Sequence, residues 1–346
     1  MRDKIEHLLR SGFELKASDI HITVGIPPVM RINGDLRRYG PDSITPDETE
    51  GMARAIIPEK SWEHFKAKGE LDFSYGIPGI SRFRVNAYHQ RGCVSLAIRI
   101  VPTRIPTLEE LELPEILKKI SEKPQGLVLV TGPTGSGKST TLASMIQYMN
   151  IAMRKHIVTL EDPIEYLHKH GNSIIDQREI GFDTNNFANG LRAALRQDPD
   201  VILVGEMRDL DTIQTAITAA ETGHLVLGTL HTSSAPATIN RIIDVFPPSQ
   251  QAQVRIQLAS VLVSVISQRL FPTADKKGRR SATEILINNA AVANLIRNEK
   301  IHQIISIMQT SRIYGMHTLE MNIKELVQQG IISKEIAEPY LQEKLV

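Results

Sequence analysis

The run GPTGSGKST, residues 132–140, constrains the fold more than any other stretch of the chain. It fits G-x-x-x-x-G-K-S/T, with Gly132, Gly137, Lys138 and Ser139 in the fixed places. The apolar run GLVLV precedes it, and the helix-patterned run TTLASMIQYM follows. That strand–loop–helix setting is what a phosphate-binding loop requires. Glycines let the backbone wrap closely around phosphate oxygens, and the loop N–H groups join the helix N-terminus in one anion site. The expected nucleotide cradle is therefore Gly132, Pro133, Thr134, Gly135, Ser136, Gly137, Lys138, Ser139 and Thr140. Lys138 is placed to contact the β- and γ-phosphates of ATP, and Ser139 to ligate Mg²⁺.

Such a loop needs a sheet behind it. Four apolar runs supply one, the run before the loop, LVLV (127–130), and three more, HIVTL (156–160), VILVG (201–205) and LVLGTL (225–230), with helical patterns between them. Near-continuous apolar strands alternating with helices mark an α/β domain whose parallel sheet is covered on both faces. Ligands gather at the C-terminal ends of such strands. The residues just past each run are therefore the candidates.

After VILVG comes Glu206, while Gly205 occupies the place where an aspartate is usual. A carboxylate at Glu206 can orient and deprotonate an attacking water. Its competing role is an acidic charge ahead of the helix that begins near Asp209. After HIVTL come Glu161 and Asp162, with Glu165 one short turn later. Glu161 first, and Glu165 second, are candidates to hold Mg²⁺ through waters; a solvated loop is the alternative. His231 follows LVLGTL and can sense the γ-phosphate. His224 sits beside Gly223 at a helix end and reads equally well as a cap.

Residues 1–100 read as a small α+β unit. An amphipathic helix over 5–15 leads to a strand over 19–23, and Asn33-Gly34 turns a hairpin between VMRI and DLRRY. Thr45, Pro46 and Glu48 open a helix with a capping box. SRFRVNAYHQ and VSLAIRIV form a long hairpin around a loop at 90–93, pairing Ala87 with Leu96 and Val85 with Ile98. That register sets Arg84 opposite Arg99. Like charges so opposed cost a few tenths of a kcal/mol or more, and an anion between them reverses the sign. Arginines supplied in trans accelerate phosphoryl transfer by about 10³–10⁵. Two splayed, solvated arginines are the other reading, and the residues alone leave the choice even. Arg192, Arg196 and Arg208 read first as partners of nearby acids.

Residues 101–120 carry three prolines and read as a connector to a second domain over 121–346, whose last seventy residues look helical. The total of 346 residues suits two domains. Forty basic against thirty-nine acidic residues, a net charge of +1, argue against a protein that coats nucleic acid. The single cysteine, Cys93, rules out a disulfide within the chain and a four-cysteine zinc site. The first residues have no apolar core, so no secretory leader is expected. The run IQLASVLVSVI (256–266), read as helix, falls short of the ~20 apolar residues that span a bilayer.

In combination, GPTGSGKST, TLEDPIEY, LRQDPDVILVGEMRD and GHLVLGTLHT resemble the Walker A, Asp box, Walker B and His box of secretion-type hexameric ATPases. The opening ASDIHITVGIPPVMRINGDL and the later AVANLIRNEK resemble the branch that retracts type IV pili. The likeness covers nearly the whole chain. It implies a PAS-like N-terminal domain, a RecA-like P-loop ATPase domain and a ring of six copies, with ATP and Mg²⁺ at a domain and subunit junction. On it, Arg84 and Arg99 match the arginine fingers, Glu206 the catalytic glutamate and His231 the His-box position. AVANLIRNEK matches a helix needed for retraction but not for hydrolysis, although Val292, Leu295 and Ile296 also make a stripe suited to core packing. Assembly ATPases of the superfamily usually carry a longer N-terminal region and a four-cysteine motif, and this chain has neither. The resemblance implies a cytoplasmic motor, peripheral at the inner membrane, acting on a membrane platform protein and through it on pilin. No nucleic-acid partner is expected. An assembly or secretion ATPase, an ATP-gated scaffold with little hydrolysis and a nucleic-acid translocase are the alternatives.

Overall fold

The structure, a computed structural model, describes residues 1–341. Its contacts divide the chain into two units: Met1–Arg104 with Glu165–Leu167, and Ile105–Ile164 with His168–Val346.

The first unit is built on an antiparallel sheet. Its strands are β1 (Asp19–Ile22), β2 (Val29–Ile32), β3 (Asp35–Arg38), β4 (Glu70–Ile77), β5 (Ser81–Gln90) and β6 (Cys93–Ile100), in the order β3-β2-β1-β6-β5-β4. Alternation along β5 buries Phe83, Val85 and Ala87, as a period of two requires. Ile5 and Leu9 of the helix Arg2–Glu14 and Met52 of the helix Pro46–Ile56 are fully buried in the same unit. The capping box is present: Thr45 Oγ1 accepts the Glu48 N–H at 3.3 Å, and Glu48 accepts the Thr45 N–H at 2.8 Å.

The long hairpin has the expected register, with Ala87 opposite Leu96, Val85 opposite Ile98 and Arg84 opposite Arg99. Its loop is shorter than expected. Gln90 and Cys93 pair, leaving only Arg91 (φ +52°) and Gly92 (φ +78°) to turn. Two residues with positive φ twist in the sense of the flanking strands, which favours the tight turn. The register survives because each strand gains the same length. Arg99 also meets Asp19 on its other side, Nε to Oδ1 at 2.9 Å, so a carboxylate already answers one of the opposed charges.

The second unit holds a mixed sheet. Its strands are β7 (Gly126–Thr131), β8 (His156–Glu161), β9 (Ile174–Glu179), β10 (Val201–Val204), β11 (Leu225–Leu230), β12 (Leu262–Pro272) and β13 (Arg279–Ile287), in the order β13-β12-β7-β11-β10-β8-β9. All but the edge strand β13 are parallel. Every residue of β7, β10 and β11 is buried. Leu127, Leu129, Ile202 and Val204 join one core, whereas Val128, Val130, Val201 and Leu203 join another, which is the signature of a sheet covered on both faces.

Three expectations change here. The apolar run 256–266 is not one helix: the helix Pro248–Val261 stops and β12 begins at Leu262. Its β-branched residues pair with β7, and that tertiary pairing outweighs the local apolar pattern. The last seventy residues are not all helical, because β13 pairs along β12. Most of the 101–120 connector packs as part of the second unit, with Leu108, Leu117 and Ile120 buried in its core. The stripe of Val292, Leu295 and Ile296 on the helix Ala290–Arg297 packs into the other core cluster. Among the described residues, no helix is long and apolar enough to cross a membrane.

Candidate active site

The parallel register brings the candidate residues of the second unit to one edge of the sheet. Thr131 pairs with Leu230 and with Ser267, and Val204 with Leu160 and with Gly228. Gly132, Glu161, Glu206 and His231 therefore all follow aligned strand ends, where an open α/β sheet places its ligands.

The loop is shaped by its glycines. Gly132 has φ +142° and Gly137 φ +91°, and a Cβ on Gly132 would lie 2.3 Å from the backbone oxygen of Gln268. The helix Lys138–Ala152 starts directly after Gly137. Its first N–H groups have no intrahelical acceptor, so the helix end is an anion site. The Lys138 ammonium donates to the carbonyls of Gly132 (2.8 Å) and Pro133 (3.1 Å), which arches the loop over the side chain. Pro133, Thr134 and Gly135 are exposed, Ser136 is buried, and Ser139 and Thr140 are half-buried in the first turn. Thr131 and Ser267 tie β7 to β12 beneath the loop through a buried hydroxyl pair at 2.7 Å.

Glu206 is held from two sides. Its Oε1 accepts from Arg208 Nε and from His231 Nε2, the latter at 3.0 Å. A carboxylate only accepts, so this contact requires the His231 proton on Nε2. The Glu206 carboxylate, in turn, pushes the Arg208 guanidinium pKa up and keeps it charged. The Glu206 side chain is 21% exposed, open enough to meet a water and enclosed enough to be oriented. Gly205 explains the missing aspartate: a Cβ there would lie 2.9 Å from the Leu160 backbone oxygen and 3.3 Å from the Glu161 Cα. The strand ends approach too closely for any side chain at that position. The Thr229 hydroxyl donates to the Gly205 carbonyl, and the Met207 N–H donates to Thr229 O at 3.1 Å, which pins the backbone on both sides of Glu206.

Glu161 is positioned by Thr159 Oγ1 (2.6 Å) and by Gln177 Nε2 on β9 (3.0 Å). Gln177 has no cue in the sequence beyond being a polar residue in IIDQRE, a run without a clear strand alternation. Glu165 does not join Glu161 in the second unit; it groups with the first, which also holds Arg84 and Arg99. His224 is a cap: its N–H and its Nδ1 both meet the Ala219 carbonyl at the end of the helix Leu210–Glu221, at 3.2 and 3.0 Å. Arg192 pairs with Asp211 at 3.2 Å.

Residues 70–344 match the family described as type II/IV secretion system protein. The chain belongs to this family. It is 48% identical to the type IV pilus retraction ATPase PilT of Pseudomonas aeruginosa, over 96% of each chain. A twitching motility protein of Neisseria gonorrhoeae is also 48% identical, over 93% of this chain and 88% of its own. The crystal structure of the pilus retraction motor PilT with bound ADP superimposes with a TM-score of 0.90, covering 97% of this chain and 96% of that one. The fold is thus that of the family's ATPases, an N-terminal domain followed by a RecA-like core, and the chain is one of these ATPases.

Proposed function

We propose that the chain is the ATPase motor that retracts type IV pili, working as a homohexamer on a membrane platform from which pilin is withdrawn. The observation that carries the proposal is Glu206 on the same edge of the sheet as a complete phosphate loop, at strand ends aligned through β11. The full-length likeness to PilT supplies the cargo.

The residues divide the work. The loop N–H groups and the helix start bind the β- and γ-phosphates, and Lys138 turns from its own loop carbonyls to them. Glu206, oriented by His231 and Arg208, takes the proton of the attacking water. His231, bonded to that carboxylate, links the γ-phosphate end of the site to β11. Arg84 and Arg99 serve a neighbouring copy's nucleotide, where their charges offset the phosphoryl group in the transition state. Among the described residues no trio of His, Cys, Asp or Glu forms a metal cluster. Ser139, half-buried in the first turn after the loop, would give Mg²⁺ one hydroxyl ligand beside phosphate oxygens and the waters this ion keeps. An Mg²⁺ there would neutralise phosphate charge, and Glu161, held by Thr159 and Gln177, would accept from one of its waters. Peripheral docking at the inner membrane follows from the platform partner.

Glu206→Gln is expected to abolish phosphate release and to leave ADP affinity unchanged; full turnover in this variant overturns the assignment. Deleting the gene in a piliated host is expected to give excess surface pili without twitching, whereas loss of pili would point to assembly instead.

A further inference from the structure

Gln268 is buried at 2% exposure on β12, one residue past the pairing of Ser267 with Thr131, and so stands against the phosphate loop where it leaves β7. Its amide Nε2 donates to the Ser136 carbonyl at 2.8 Å, a buried bond between segments 132 residues apart in sequence. The loop rests on this residue at two further points. A Cβ on Gly132 would lie 2.3 Å from the Gln268 backbone oxygen, and one on Gly137 would lie 3.1 Å from Nε2. Glycine at both ends of the loop thus makes room for Gln268 as well as for a phosphate.

The bond has a directional consequence. In a planar trans peptide the C=O and the following N–H point in opposite directions. Drawing Ser136 O toward Gln268 aims the Gly137 N–H away from β12, at the mouth of the helix Lys138–Ala152 where phosphate is bound. The arrangement carries a cost. Gln268 Oε1 and Ser136 Oγ are both buried with no hydrogen-bond partner among the described residues. A buried amide oxygen left unpaired is unfavourable, and a hydrocarbon of the same shape would avoid it. A residue chosen only to fill this space would not be glutamine.

We infer that Gln268 is a positioning residue for nucleotide binding: its amide fixes the orientation of the Ser136–Gly137 peptide and thereby aims the Gly137 N–H at the phosphates. The inference rests on the nucleotide-site reading above and names a residue that reading does not include.

The test uses the full-length protein and a fluorescent ADP (mant-ADP). Gln268→Met keeps the volume and removes the donor. It is expected to melt within a few degrees of the wild type, to bind mant-ADP about ten- to hundredfold more weakly, and to raise KM for ATP more than it lowers kcat. Gln268→Glu provides a second arm that does not depend on the first. Its carboxylate repels Ser136 O, but burial raises its pKa, and the protonated form can donate. The ratio of its Kd to the wild-type Kd is expected to fall as pH goes from 8 to 5. A Met variant that binds within twofold of the wild type, or a Glu ratio that does not move with pH, overturns the inference. Failure of the wild type itself to bind would instead bring down the site reading, and this inference with it.

Discussion

Gly205→Ala tests whether the close approach of β8 and β10 places the catalytic carboxylate. The added methyl would sit 2.9 Å from Leu160 O, the atom that accepts the Gly205 N–H at 2.8 Å. Ordinary contacts begin at about 3.4 Å, so the strand ends must part by roughly half an ångström. Neither neighbour is a flexible side-chain tip: one is a backbone oxygen and the other the Glu161 Cα. The resulting overpacking should cost about 1–3 kcal/mol, or roughly 3–10 °C in melting temperature. The larger effect falls on chemistry, because Glu206 is the next residue and moves with the strand end. Displacements of about 1 Å cost near 10² in rate, so half that shift predicts a kcat lower by roughly tenfold. The phosphate loop lies on β7, separated from β10 by β11, so ADP affinity should change by less than about threefold. Steady-state phosphate release, mant-ADP titration and a melting curve read the three quantities. A variant with wild-type kcat and melting temperature would refute the steric account of the missing aspartate.

His231→Ala should lower kcat by roughly ten- to hundredfold with little change in ADP affinity, since its Nε2 meets Glu206 rather than the loop; phosphate release checks this. Arg84→Ala should reduce turnover only in assembled rings, and an equal loss in isolated monomers would rule out action in trans. His168 is half-buried and desolvation pushes its pKa down to about 4, so the folded state keeps it neutral while the unfolded chain protonates near 6.5. Its stabilising contribution is therefore present above pH 6.5 and is lost as pH falls toward 4, by about 3 kcal/mol. Urea melts of the wild type and His168→Gln should diverge in slope over that range, and parallel curves would disprove the linkage.

Much of the second unit was legible in the residues because its information is local. A glycine-rich loop between an apolar strand and a helix has one structural solution, and four apolar runs at α/β spacing imply a parallel sheet whose ends carry Glu161, Glu206 and His231. The Arg84–Arg99 pairing could likewise be read, because alternation fixes which residues share a face even when the turn length is mistaken. Periodicity does not carry everything. The run 256–266 is mostly apolar with no clear helical or strand period, which suits a buried helix and a buried strand alike; pairing with β7 and β13 decided for strand from Leu262. The vacant aspartate position looked like a departure from pattern until the distance between β8 and β10 showed that no side chain fits at Gly205. Gln268 acts on a segment far away in sequence, and no spacing rule connects a strand residue to a carbonyl 132 positions earlier. The sequence by itself determined which groups can do chemistry and which strands carry them. Tertiary structure alone decided which side chains brace them, because close packing depends on distances between segments that the order of residues does not encode.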